Sequence, residues 1–546
     1  MTEFYLPSKD ERFFKTSADS TPFLNTSLSP IASVIKVSLV SLVGLSLAHG
    51  AAHAATISVS TFLDDGNSNA LCSLREAITA INEAPSLPLN NGCRVRGPFG
   101  NNDSINILAE NTIVLNQGQL EIAEGKEISI DGRIASGNAI LDPENRSRVF
   151  DIRENASLFI RNLDIRNGTT DSAGGGIRAN SGSRLQLRNS KISDNASTSG
   201  GNGGGIYAVD STIEIIDSTI SGNSATNSGG AIYAVDSTID ITGGSIYRNF
   251  AGNDGGVIFT RADSIVNLAN TRLSNNRTNG DYNEDSNGGA IFVSEGSAVT
   301  INNSTLNGNS AFDDGGAIHV DASIVEIFSS TLSNNSALGS GSSGEETEGD
   351  GGSIYTIGSD SRVTLSNSTF SGNNAGNDGG ALFSGNGAQV TIENSTLSNN
   401  TALDYGGGFA LFSGSGATIS NSIIANSTSN NAFSSGNDCH FATGTTMFID
   451  ASTIIETGGC NSVRAIDPGL DLLTFNGGVT ETHALQEDSP ARGTGLLASC
   501  TATDQLGQIR DSGDGLCDVG AIEFLSVSNG FYVVPLGNGK SVVVPF

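Results

Sequence analysis

A short line of residues recurs nine times in the middle of this chain: Gly-Gly, a small residue, an aliphatic, then usually Tyr or Phe. Seven copies are regular, running from Gly203-Gly204-Gly205-Ile206-Tyr207 to Gly379-Gly380-Ala381-Leu382-Phe383. Degenerate copies at Gly174-Gly175-Gly176-Ile177-Arg178 and Gly406-Gly407-Gly408-Phe409 open and close the series. Successive starts lie 29, 26, 26, 33, 27, 36, 28 and 27 residues apart. A repeat of that length is the signature of a solenoid, in which each unit buries its apolar face only against its neighbours.

One repeat, residues 229–254, reads GGAIYAVDSTIDITGGSIYRNFAGND. It holds three short alternating segments, AIYA, STIDIT and GSIYRN, separated by Gly, Asp and Asn. Alternation bounded by turn formers reads as strand. Three strands per repeat with no helix between them predict an all-β chain coiled as a parallel β-helix, rising about 4.8 Å per coil. The columns agree. Ile206, Ile232, Ile258, Ile291, Ile318, Ile354 and Leu382 form one inward ladder, and pairs such as Ile213/Ile215 and Val299/Ile301 form a second. A third column runs Ile220, Ile246, Leu273, Leu306, Leu332, Phe370 and Leu397. Three residues after each of these stands an Asn, from Asn223 to Asn400. Asn tolerates left-handed turns, and its amide can bond to the Asn of the next coil.

The 57 acidic residues against 27 basic ones leave a formal charge of −30. Nucleic acid and anionic membranes are disfavoured partners for such a surface. Acidic polysaccharide is disfavoured too, unless metal ions bridge. Residues 37–48, VSLVSLVGLSLA, follow Lys36 and precede Ala52-His53-Ala54. An apolar run of that length with an A-x-A end reads as a secretory leader over 1–54, too short to span a bilayer. The segment ahead of Lys36 is long for such a leader, so the true start is open. Six Cys remain in the exported chain. Neighbouring pairs Cys72–Cys93, Cys439–Cys460 and Cys500–Cys517 are the simplest of the fifteen possible pairings.

Open solenoid ends need caps. Cys72-Ser-Leu-Arg-Glu-Ala-Ile78 begins a helix with a Ser73/Glu76 capping box and an apolar face of Leu74, Ala77, Ile78 and Ile81. The expected organisation is an N-terminal cap over 55–102, β-helix over 103–430 with the Gly-Gly repeats in 174–430, and a disulfide-bearing C-terminal cap over 431–546 ending in a hairpin.

The Gly-Gly-Ala-Leu382 and Phe370-Ser-Gly-Asn373 lines resemble the repeats of chlamydial polymorphic outer membrane proteins. Cys72–Ile78 resembles the signature of the bacterial CSLREA domain. Asn476–Leu485, Ser489–Ala491, Asp504–Gly507 and Cys517–Glu523 resemble the choice-of-anchor Q region of bacterial surface proteins. The resemblance implies an exported, right-handed β-helix protein of the cell surface or medium. The favoured expectation for such a chain is a non-enzymatic, adhesin-like role. The stretch after residue 524 is too short for the translocator barrel of the polymorphic proteins.

β-Helices also carry polysaccharide lyases and glycosidases, so a carbohydrate-active enzyme is the rival expectation. Asp254, Asp314, Asp350 and Asp378 stand just before the Gly-Gly line, with Asp313 adjoining. Stacked on successive coils they could bind Ca²⁺, or they could simply fill turns. His319, His440 and His483 have no acid/base partner in sequence, and no catalytic residue is assigned. The binding candidate is the aromatic column Tyr207, Tyr233, Phe259, Phe292, Tyr355 and Phe383, with Arg178 and His319 in register. Strand alternation points it outward, as an exposed stripe for an extracellular glycan or surface protein.

Overall fold

The computed structural model describes residues 54–545 apart from 66–70, 85–91, 280–285, 340–348, 431–436, 458–459, 461–463, 511–515, 525–530 and 537–539. The expected leader over 1–54, Ala54 excepted, therefore lies outside the described residues. From Thr56 to Ile455 the chain winds as a parallel β-solenoid. One coil runs through Ile206–Val209, Thr212–Ile216, Thr219–Ser221 and Ser224–Ala225 before the next Gly-Gly line. The first three strands are those expected from alternation. They build the Ile-Tyr sheet, the long sheet and the Thr sheet, and each strand pairs in register with its equivalent one coil away. The fourth is a ladder of two-residue strands, too short to show alternation in sequence.

All three aliphatic columns face inward, and Ile232, Ile239 and Ile246 of one coil are essentially inaccessible to solvent. Beside them runs an amide ladder of eight Asn, from Asn195 to Asn400. Each of the first seven donates Nδ2 to Oδ1 of the next at 2.9–3.0 Å. The same oxygen also accepts the preceding Asn's backbone N–H, as from Asn249 to Asn276 at 3.0 Å. The left-handed turn belongs to the residue before each Asn, such as Arg248 (φ 56°) or Asn275 (φ 55°), and not to the ladder Asn itself.

The two glycines of the repeated line do different work. Gly315 has φ +68°, the left-handed region. Gly316 has no positive φ, but a Cβ there would stand 2.2 Å from the carbonyl oxygen of Gly352 and 2.4 Å from Ser336. The second glycine is thus where adjacent backbones touch. Variation in repeat length sits just before this point. The segment between the fourth ladder and Gly-Gly is 252–254 in one coil but widens to 279–287 and 338–350 in others.

At the N-terminal end the expected helix is present at Leu74–Asn82, with both capping-box hydrogen bonds made. Its last residue closes the open edge of the Ile-Tyr sheet. Asn82 Nδ2 donates to Glu121 O at 2.7 Å, and its Oδ1 accepts from Ala123 N at 3.0 Å, in place of a neighbouring strand. All three neighbouring-pair disulfides are formed, with Cα–Cα separations of 4.5, 5.7 and 6.6 Å. The C-terminal segment 466–524 does not sit on the rod's end. It lies as a strap along the Thr sheet, where His483 Nε2 meets Ser371 Oγ at 2.9 Å and Gln505 Oε1 accepts from Thr369 at 2.7 Å. The terminal hairpin is formed by Phe531–Leu536 and Lys540–Pro545.

Candidate functional site

The outward column of the Ile-Tyr sheet carries the predicted aromatic residues in one register: Tyr207, Tyr233, Phe259, Phe292, His319, Tyr355 and Phe383. Parallel in-register pairing places identical positions one coil apart, and planar rings at that spacing stack. Their centroids are 4.6–5.4 Å apart, and most neighbouring planes lie within 20° of parallel. His319 and Tyr355 are the tilted exception at 43°. Each ring therefore covers its neighbours' faces and turns only an edge outward. Tyr233, His319 and Phe383 are buried and the others are half-buried. A sugar stacks on an exposed ring face, and this column presents edges.

The column continues beyond the predicted residues at both ends. Toward the C-terminus it drops to Ala410 and then His440. The ring of Phe412 fills the gap, 5.4 Å from Phe383 and 5.1 Å from His440, and Tyr405 lies 4.3 Å from His440 with the planes tilted by 34°. Toward the N-terminus it becomes charged, through Arg178 and Asp151 to Glu121. Arg178 grips the fully buried Asp151 through Nε and Nη2 at 2.8 and 2.7 Å. Desolvation opposes the Asp151 charge, but hydrogen bonding and charge from Arg178 win and hold its pKa below the usual value. An Arg one coil from an acid in a shared column was the sequence signal for this pair.

The Asp column lies beside the rings. Asp254 Oδ1 accepts from Asn287 N at 3.0 Å, and Asp314 Oδ1 from Asp350 N at 2.8 Å. Asp350 Oδ1 accepts from Asp378 N at 2.9 Å, and Asp378 Oδ1 from Tyr405 N at 2.8 Å. Asn287 does the same for Asp314 N at 3.1 Å, so the position needs an acceptor and not a charge. The Tyr355 hydroxyl bonds to Asp314, joining the two columns. Burial, reinforced by Asp378, raises Asp350 to about 7, and burial raises Asp378 to about 7. Burial also lowers His319 to about 3, leaving a neutral imidazole whose Nδ1 has no hydrogen-bond partner. Among the described residues no group of three or more His, Cys, Asp or Glu is arranged to hold a metal.

Residues 175–370 match a protein-family model described as right handed beta helix region. The rod is a right-handed β-helix. No curated protein and no solved structure matches the chain. Among the described residues no helix is long and apolar enough to cross a membrane.

Proposed function

We propose that this β-helix is an exported, surface-associated or secreted rod, adhesin-like, that binds extracellular glycan or protein partners along its flanks. One observation carries the choice of binding over turnover. Each of Asp254, Asp314, Asp350 and Asp378 gives an oxygen to a backbone N–H of the next coil. These carboxylates therefore build the rod, and its long lateral sheets remain as contact surface. Export is supported by the leader-like run at 37–48 and by three disulfides, which persist in oxidising compartments. The resemblance of Cys72–Ile78 and of the lines within 476–523 to bacterial surface-protein modules supports the same location.

A second reading, a carbohydrate-active enzyme, draws on Asp350 and Asp378, carboxyls on adjacent coils that burial raises to about 7. A glycosidase needs one such acid held protonated beside another carboxylate. Incubation with a polysaccharide panel separates the two. The rod reading expects neither reducing ends nor unsaturated products, alongside retained binding to cells or matrix. Turnover that disappears in both Asp350→Asn and Asp378→Asn would replace it with the enzyme.

A further inference from the structure

A second surface lies on the opposite flank, at the corner between the long sheet and the Thr sheet. Each coil turns this corner through a left-handed residue, among them Asn270 (φ 54°), Asn303 (φ 52°), Ser329, Asn367, Asn394 and Asn421. The last three hold the strap. Asn367 Oδ1 accepts from Thr501 and Arg510, Asn394 Nδ2 donates to Ser499 O, and Asn421 bonds both the N–H and the carbonyl of Leu496. The ladder continues past the strap, but its occupant does not. Two strap turns, Gly477–Val479 and Thr503–Gly507, end over Asn270, Asn302, Asn303 and Ser329 and line an open cleft of about 540 Å³.

The chemistry of the cleft is specific. Asn303 Nδ2 donates to Asn270 Oδ1 at 2.5 Å, which leaves Asn270 Nδ2 as a donor and Asn303 Oδ1 as an acceptor one coil apart. The acid at the rim, Asp504, is buried, and its oxygens accept from Leu506, Gln508 and Glu523 N–H groups. Gln505 is equally engaged, with Thr369, Thr331 and Thr480. Val479, 63% exposed, adds an apolar wall. Uncharged paired donors and acceptors beside an apolar patch suit hydroxyl-rich, neutral ligands. An extended peptide would need a free strand edge to satisfy its backbone; here the backbone of both sheets is paired coil to coil.

We infer that this cleft binds a segment of neutral oligosaccharide. The inference rests on the binding-rod reading and gives it a site and a ligand class. The test uses the full exported chain on immobilised neutral glucans, mannans, xylans and galactans, with polygalacturonate and a peptide array as controls. Two variants probe the cleft independently: Asn270→Gly with Asn303→Gly, which keeps the left-handed turns, and Val479→Asp. The expected result is binding to a neutral glycan that falls at least about tenfold in both variants, with the far-UV spectrum unchanged. Equal binding by wild type and variants overturns the site while leaving the rod reading standing. No binding to any neutral glycan, or capture of peptide that the variants abolish, overturns the ligand class. Adhesion to cells or matrix, measured in parallel, then decides the broader reading: its absence as well would sink both.

Discussion

Replacing Asn276 by Ala measures what the buried amide ladder contributes. Asn276 Nδ2 donates to Ile246 O at 3.1 Å and to Asn309 Oδ1 at 2.9 Å. Its Oδ1 accepts both the backbone N–H and the Nδ2 of Asn249 at 3.0 Å. Alanine strands the Asn249 N–H and takes the shortest acceptor from its Nδ2, which keeps Ile220 O at 3.2 Å and Tyr247 O at 3.3 Å, in a site with no access to solvent. A buried donor left unpaired costs about 1–3 kcal/mol, so the variant, with one donor stranded and one weakened, should lose roughly 2–4 kcal/mol. Asn195, at the start of the ladder, supplies an internal scale. Its Oδ1 accepts one donor, the Gly168 N–H at 2.8 Å, so Asn195→Ala should lose about half as much. Coils contact only their neighbours, so global unfolding is a blunt probe. Native-state hydrogen exchange, read on the strands flanking each substitution, gives the local opening free energy. A loss below about 1 kcal/mol at Asn276, or a larger loss at Asn195 than at Asn276, would refute the donor-count argument.

Three further outcomes follow from the site. His319→Phe removes an unpartnered buried nitrogen while keeping a ring between Phe292 and Tyr355, and should stabilise by about 1–2 kcal/mol at neutral pH. Burial lowers His319 to about 3, so its contribution is present above its ordinary value and lost as pH falls through 3. The variant's thermal midpoint should accordingly resist acid better than wild type, and an unchanged acid limb refutes this. Asp378 and Asp350 have the opposite sign: raised to about 7, they favour the folded state below their ordinary range and lose that advantage as pH rises through 7. Asp378→Asn keeps an acceptor for Tyr405 N–H and should lessen the fall in melting temperature between about pH 5 and 8; an identical slope counts against it. Arg510, whose side chain is fully buried, pairs with Glu523 at 2.9 Å and bonds to Asn367 and Gly520 O. Arg510→Met breaks a buried pair, at a cost of about 3–5 kcal/mol, and should expose the strap to limited proteolysis while the rod's β signal persists. An unchanged cleavage pattern would show that Arg510 does not hold the strap.

Features that repeat every coil were legible in the sequence, because in-register stacking turns each into a column. The aliphatic ladders, the Asn ladder and the aromatic column all appear where periodicity placed them. The helix at Leu74 was legible from its capping box. Features set by side-chain rotation or by contacts distant in sequence were not. That Tyr233 and Phe259 would lie face to face at 4.8 Å, with planes 3° apart, depends on ring orientation. Phe412 entered the column through a gap at Ala410, which spacing alone does not reveal. The strap binds Ser371 and Thr369 through His483 and Gln505, residues more than a hundred positions away, and it has no period to betray its path. Tolerance of left-handed geometry does not explain the ladder Asn, since the left-handed residue is the one before it.

The chain lengthens twice between the two-residue ladder and the Gly-Gly contact, after Thr278 and after Ala337. Downstream of each, Ile291 and Ile354 return to register with the equivalent strand of the coil before. A change in chain length there is absorbed within its own coil and does not propagate. That corner is therefore where foreign sequence can be inserted, and successive coils would display it in a single file about 4.8 Å apart per coil. The corner between the long sheet and the Thr sheet, where Asn367, Asn394 and Asn421 hold the strap, is separate from it and is left undisturbed.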